Sequence, residues 1–145
     1  MLSIVVPVLN EAPSLATLHR QLQAVAQQHG YELDILLVDD GSTDESWHVI
    51  QQICERDSHV RGIRFRRNFG KAAALSAGVA AARGELLMTL DADLQDDPNE
   101  IPKLLAVMDQ GFGVVSGWKK KRYDSVIAKN MPSKLFNWAS RKPSG

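Results

Sequence analysis

Leu86-Leu87-Met88-Thr89-Leu90-Asp91-Ala92-Asp93-Leu94-Gln95 joins five mostly apolar residues to two carboxylates set one residue apart. The apolar run reads as a buried strand, and the acids as a solvent-facing lip at its C-terminal end. Two carboxylates this close repel each other and favour a cation between them. A divalent metal bridging to the phosphates of a ligand is the usual reason for such a lip, because hard cations prefer oxygen donors. Taken alone, the same residues also read as solvated turn carboxylates before Asp96-Asp97-Pro98, so their surroundings decide.

Strand-like runs and helix-like periodicities alternate on both sides of this stretch. Leu2–Val8 is a first apolar strand; Pro13 opens a helix with Leu15, Leu18, Leu22 and Val25 at helical spacing, closed by Gly30. Leu33–Val38 is a second strand, continuous in apolar residues as expected when both faces are covered. Ser42 or Thr43 is the expected cap of a second helix, with Asp44 and Glu45 in its first turn and a stripe of Trp47, Ile50 and Ile53. Val60–Phe65 is a third strand, Gly70 to Arg83 an Ala-rich helix ended by Gly84, and Leu86–Leu90 the fourth strand. Pro98 or Asn99 opens a further helix that Gly111 closes, and Phe112–Ser116 is a fifth strand. Beyond Trp118 the periodicity fades, and 119–145 reads as a loop followed by the start of a helix.

Repeated strand–helix–strand units with short connections predict an α/β fold with a doubly wound, mainly parallel sheet. Ligands of such sheets sit beyond the carboxyl ends of the strands. That rule collects Asn10-Glu11, Asp39-Asp40-Gly41-Ser42 and Asp91/Asp93/Gln95 on one rim. An acid at the end of the second strand can accept hydrogen bonds from a ribose or base, and Gly41 lets the backbone turn close to a ligand. An Asp or Ser there can equally cap the following helix. Arg66-Arg67-Asn68-Phe69-Gly70-Lys71 is a basic loop entering a helix N-terminus, where backbone amides and Lys71 favour an anion. It lacks the spacing of a Walker loop.

The 145 residues amount to one domain, and no apolar run approaches the length of a membrane span. The N-terminus carries no basic region ahead of its apolar stretch, so no signal peptide is expected. Cys54 has no partner cysteine and reads as a packed thiol in a reducing, cytoplasmic setting. The net charge of zero hides a split. Residues 1–115 hold 9 Lys/Arg against 16 Asp/Glu, whereas 116–145 hold 8 Lys/Arg against Asp124 alone. A basic end on an acidic body suits an anionic partner or a solvated tail. His19, His29, His48 and His59 lack ligand spacing and read as surface histidines. Trp118, Phe136 and Trp138 suit either core packing or contact with lipid or sugar.

Four ordered stretches carry a resemblance: Ser3-Ile4-Val5-Val6-Pro7-Val8-Leu9-Asn10-Glu11, Leu37-Val38-Asp39-Asp40-Gly41-Ser42-Thr43-Asp44, Asn68-Phe69-Gly70-Lys71 and Leu90-Asp91-Ala92-Asp93-Leu94-Gln95. They resemble the successive signatures of family 2 glycosyltransferases with the GT-A, Rossmann-like nucleotide-diphospho-sugar transferase fold. The Asp91–Gln95 form, with Pro132-Ser133-Lys134-Leu135-Phe136-Asn137 downstream, is similar to the branch that glycosylates polyprenyl phosphates such as dolichyl or undecaprenyl phosphate. The resemblance implies a UDP- or GDP-sugar donor, with Pro7, Asn10, Glu11, Asp39, Asp40, Lys71 and Asp91 in its binding site. It implies Mg2+ or Mn2+ held by Asp91, Asp93 and Gln95, with Asp91 and Asp93 as the catalytic acids. It places the lipid phosphate with Arg122, Ser133 and Lys134. Residues 1–118 then form the nucleotide-sugar-binding core and 119–145 a basic acceptor-side segment. Relatives continue past the Pro132–Asn137 motif, often into transmembrane helices, so the acceptor side is expected to be incomplete at Gly145. The implied location is the inner face of a membrane, peripheral, without nucleic acid as a partner.

Three other readings compete. A phosphoacceptor signalling domain would use Asp39 and Asp40 as its acidic pair, Asp91 as the phosphorylated residue and Lys119 as its lysine. It would need two further strand–helix units after Asp91, and a complete unit precedes Asp39 where none belongs. A dinucleotide-binding oxidoreductase would show G-x-G-x-x-G after the first strand, which is absent. A catalytically silent nucleotide-sugar-binding domain shares every donor-side residue and differs only in turnover.

Overall fold

The computed structural model describes residues 1–117 and, as backbone, a strand at 138–141. The elements in order are β1 (Leu2–Val8), α1 (Ala12–His29), β2 (Leu33–Asp39), α2 (Ser46–Arg56), β3 (Val60–Arg64), α3 (Lys71–Ala81), β4 (Leu86–Thr89), a 3-10 turn (Pro98–Glu100), α4 (Ile101–Met108), β5 (Val114–Ser116) and β6 (Trp138–Arg141). They form a six-stranded sheet in the order β3-β2-β1-β4-β6-β5. β1 to β4 pair in parallel, and β6 is antiparallel to both β4 and β5. The chain winds outward from β1 to β3 and returns through α3 to place β4 on the other side of β1. The sheet therefore has its topological switch between β1 and β4, where ligands of open α/β sheets bind.

Alternation along the strands divides the core in two. Ile4, Val6 and Val8 of β1 with Ile35 and Leu37 of β2 meet Leu15, Leu18 and Leu22 of α1, Ile50 of α2 and Ile101, Leu105 and Met108 of α4. Val5, Leu36, Val38 and Leu87 face the other way, against α3 and Ala82. Period-two side-chain direction is what sends neighbouring residues to opposite faces. Each fully buried Leu, Ile or Val contributes about 1.5–3 kcal/mol. α3 approaches closely because it is built of small residues: a Cβ added at Gly78 would overlap Val5.

Several boundaries differ from the sequence reading. The end segment reads as the start of a helix, yet Trp138–Arg141 is a strand inserted between β4 and β5. Four residues are too few for a periodicity to show. α3 ends at Ala81 rather than at Gly84, because Ala82 is already extended. Gly84 instead gives close packing, as an added Cβ would lie 2.6 Å from Ser3 N and 2.7 Å from Met1 O. α2 begins at Ser46, one turn later than a cap at Ser42 or Thr43 requires.

The opposite end of the sheet is fastened by two buried acids. Asp34 accepts from Ser3 Oγ (2.7 Å) and from Arg61 Nη2 (2.7 Å), and its carboxyl is held below the usual range because these bonds and the Arg83 amide outweigh burial. Asp57 at the end of α2 accepts from His19 Nε2 on α1 at 2.7 Å and from Gln23 Nε2 at 3.0 Å. His19 is thus a partly buried tie between α1 and α2 rather than a surface histidine. Cys54 is half-buried, and burial pushes its thiol up, as expected of a packed cysteine.

Candidate donor-binding site

Pro7, Glu11, Asp40, Lys71, Asp91 and Asp93 meet around one cavity of about 330 Å3 at the carboxyl ends of the strands. Four loops build it, each held by side chains of another.

The first loop follows β1. Asn10 adopts a left-handed backbone (φ 54°), uncommon for a residue other than glycine but well tolerated by Asn. Its Oδ1 accepts from Thr43 N (2.8 Å) and Asp44 N (3.2 Å), and its own N–H donates to Ser42 Oγ (2.9 Å). Glu11 N donates to Ser46 Oγ (2.9 Å). Ser42 and Ser46 therefore stitch the β1 loop to the β2 loop, the former in place of its expected capping of α2. Burial raises the Glu11 carboxyl above its ordinary value, and the charges of Asp93, Asp44 and Asp91 add to the rise against the Ser14 hydroxyl. Negative potential is therefore concentrated at this rim.

In the second loop Asp39 and Asp40 act differently. Asp39 is fully buried; Oδ1 accepts from Ser42 N (3.0 Å), while Oδ2 makes no hydrogen bond among the described residues. Arg64 Nε stands 3.6 Å from that oxygen, with its guanidinium over the Trp47 ring. A hollow lined by Gly41, Ser42, Thr43 and Arg64 adjoins it. Asp40 reaches across to the third loop, where Oδ1 accepts from Phe69 N (2.8 Å) and Oδ2 from Gly70 N (3.1 Å). Gly41 lies under the same loop with φ 75°, and an added Cβ would overlap the Arg67 and Asn68 backbone.

The third loop reads from sequence as an amide cradle for an anion. Its Phe69 and Gly70 amides are instead taken by Asp40, and Asn68 Oδ1 shares the latter (2.9 Å). The cation of this loop is turned inward: Lys71 Nζ lies 2.5 Å from Asp91 Oδ1.

The fourth loop carries the acidic lip. Asp91 N donates to the buried Asp96 (3.1 Å), and Asp93 Oδ1 accepts from Gln95 N (3.0 Å). Leu94 is left-handed (φ 64°) and exposed, an unfavourable state for a bulky residue and a mark of local constraint. Ser14 Oγ in the first turn of α1 lies 2.5 Å from Ala92 O. Among the described residues no group of three or more His, Cys, Asp or Glu side chains is placed to hold a metal ion by itself. The lip offers two carboxylates and the Gln95 amide, a donor set that suits Mg2+ or Mn2+ when phosphate oxygens and water complete the shell.

Of the predicted site residues, Asn10, Asp39 and Gln95 do not line the cavity; Asn10 and Gln95 are exposed, and Asp39 is buried. Arg122, Ser133 and Lys134 lie outside the described residues, as do Trp118, Lys119 and the Pro132–Asn137 motif. The sequence reading missed Ser14, Ser46, Arg64 and Asp96. Ser14, directly after Pro13 in a helix's first turn, carried a signal; Arg64, one of three arginines in a short basic stretch, carried none.

A parallel sheet with its switch at β1/β4, and acids from three strand ends turned to one rim, defines a nucleotide-sugar transferase fold. The chain belongs to glycosyl transferase family 2, whose family model matches residues 3–144. It is 45% identical over 144 residues to an undecaprenyl-phosphate 4-deoxy-4-formamido-L-arabinose transferase of Pseudomonas fluorescens, an alignment covering 99% of this chain and 42% of that protein. The chain thus spans about two fifths of the length of such relatives. Among solved structures, it resembles a mannosyltransferase from Pyrobaculum calidifontis in complex with GDP-Man and Mn2+ (26% identity, TM-score 0.67, 82% of this chain and 35% of that one). It also matches glucosyl-3-phosphoglycerate synthase from Mycobacterium tuberculosis with UDP (19% identity, TM-score 0.71, 97% and 56%), which supports the fold alone.

Proposed function

We propose that this chain binds a nucleoside-diphosphate sugar in the rim cavity, with Mg2+ or Mn2+, and takes part in transferring the sugar to a polyprenyl phosphate. The observation that carries this reading is the meeting of Glu11, Lys71, Asp91 and Asp93 around one cavity at the β1/β4 switch. The polyprenyl acceptor is supported by the undecaprenyl-phosphate transferase relatives, and the divalent ion by the Mn2+ complex of the mannosyltransferase.

Asp91, Asp93 and Gln95 would hold the ion, which neutralises charge on the departing nucleoside diphosphate. Asp39 supplies the nucleoside contact through Oδ2. Arg64 stands over that oxygen without a hydrogen bond and is itself half-exposed. Asp40 acts at one remove, fixing the loop that presents Lys71. The acceptor phosphate is already ionised, so attack of its oxygen on the anomeric carbon needs no strong general base; the bond to the diphosphate breaks and its electrons leave with the nucleotide.

The basic segment 116–145 is the surface we assign to anionic lipid, with Arg122, Ser133 and Lys134 toward the lipid phosphate. Each basic residue near an anionic leaflet contributes about 1 kcal/mol, screened over roughly 8 Å at physiological salt. No helix among the described residues is long and apolar enough to cross a membrane.

The test is transfer of labelled sugar from UDP- and GDP-sugars to undecaprenyl phosphate in anionic vesicles, with Mn2+ or with chelator, alongside calorimetry of nucleotide binding. Metal-dependent binding and transfer are expected. Binding without transfer would leave a donor-binding domain, and equal affinity with chelator and metal would remove the metal site.

A further inference from the structure

We propose that Lys71 is an internal counter-cation for Asp91 that exchanges with the divalent ion when the donor enters. This rests on the donor-site reading above and adds to it an order and a coupling that the metal ligands alone do not provide.

Lys71 is the first residue of α3, and its ammonium lies 2.5 Å from Asp91 Oδ1. The pair is accessible, with side chains 35% and 25% exposed, and both residues line the cavity. Lys71 pairs with Asp91 alone: among the described residues no Lys, Arg or His pairs with Asp93, two positions along the lip. Burial raises the Glu11 carboxyl, and the nearby charges of Asp93, Asp44 and Asp91 add to the rise. One of the two lip carboxylates is therefore neutralised by a cation that belongs to the protein.

For Asp91 to join Asp93 in holding a divalent ion, Asp91 would have to release Lys71. The freed ammonium then needs an anion. Asp40 already occupies the Phe69 and Gly70 amides, so it stays bound to the loop and leaves Lys71 as the group free to reach a diphosphate oxygen. A lysine suits this exchange, because its charge is a compact point on a flexible four-carbon stem. Metal without nucleotide strands the lysine, and nucleotide without metal leaves the lip repelling the diphosphate. With both ligands bound, the lip carboxylates face the ion and Lys71 faces the diphosphate, so each ligand strengthens the other's binding by the same factor, as linkage requires.

Removing the ammonium separates the terms. Lys71→Met leaves Asp91 without its competitor, so Mn2+ alone binds more tightly than in the unaltered chain. The added affinity that UDP or GDP confers on Mn2+ shrinks by about tenfold. Lys71→Gln behaves likewise, whereas Lys71→Arg keeps weak binding of Mn2+ alone. The experiment is titration of the free Mn2+ electron paramagnetic resonance signal with the intact chain and each variant, without nucleotide and with UDP or GDP; circular dichroism checks folding. Coupling that survives unchanged in both neutral variants, with Mn2+ alone binding no better, overturns the exchange and leaves the donor site standing. Absence of any coupling in the unaltered chain overturns the donor-site reading, and the exchange with it.

Discussion

The hydroxyl of Ser14 stands 2.5 Å from the carbonyl oxygen of Ala92, between the two acids of the lip. It fixes the first turn of α1 to the loop that carries the lip. Ser14→Ala should lower stability by about 1 kcal/mol, the net worth of one such bond. It should weaken metal-dependent nucleotide binding more than metal-free binding, because the lip rather than the nucleoside side loses its anchor. Urea denaturation and calorimetry with and without Mn2+ check both parts.

Asp93→Asn removes a charge from the exposed lip without opening the core, and exposed changes usually shift stability by no more than about 0.5 kcal/mol. The metal-dependent part of nucleotide affinity should disappear. Asp39 is buried and does not line the cavity, and Asp39→Asn should weaken nucleotide binding equally with Mn2+ and with chelator. If calorimetry shows both variants losing the same metal-dependent component, the division of roles between the two strand ends is wrong.

The strands, the doubly wound order and the acidic rim were legible because continuous apolar runs and strand-end acids are local features. What the sequence hid was direction. Asp39 and Asp40 are adjacent and chemically identical, yet one turns back to its own loop and the other reaches to Phe69 and Gly70. The basic loop read as an anion cradle for the same reason: its amides are good donors, but an acid 29 residues earlier had already taken them. The strand at Trp138–Arg141 was missed because it pairs with β4 across a long stretch of chain, and four residues show no period.

Asp57 is held at about 2 against an ordinary 3.8, because hydrogen bonds from His19, His59 and Gln23 outweigh its burial. A depressed carboxyl gives stability that is complete above the unfolded value and is lost as pH falls through the folded one. The window is therefore from about pH 4 down to about pH 2, and the loss is about 2 kcal/mol. Asp57→Asn should flatten this part of the acid-unfolding profile measured by urea midpoints, while leaving nucleotide binding at the far rim unchanged.

Asp40→Ala leaves the Phe69 and Gly70 amides without their carboxylate. Bonds to a charged group contribute roughly 1.5–3 kcal/mol, so a loss of about 3 kcal/mol is expected, and Asp40→Asn should lose less because one acceptor remains. Nucleotide affinity should fall in step with release of the 66–70 loop, measured as faster amide exchange at Phe69 and Gly70. Unchanged exchange there would mean that Asp40 does not hold the loop.

Glu11 gives a pH dependence of opposite sign to that of Asp57. Burial raises its carboxyl above 4.5, with Asp93, Asp44 and Asp91 adding to the effect, so its charged form is disfavoured in the folded chain. The resulting penalty is absent below the unfolded value and grows as pH rises through the folded one. Glu11→Gln should therefore raise the melting temperature at pH 7 and leave it unchanged at pH 3.5. A cation at the lip reverses the local potential that makes the charge unfavourable. With Mn2+ and nucleotide bound, the stabilising effect of Glu11→Gln should shrink or change sign at pH 7, because the lost carboxylate then removes attraction for the ion. Thermal melts at both pH values, with and without Mn2+ and UDP or GDP, give the comparison. A gain in stability that is the same in all four conditions would show that packing around residue 11, rather than the charge of the rim, sets its effect.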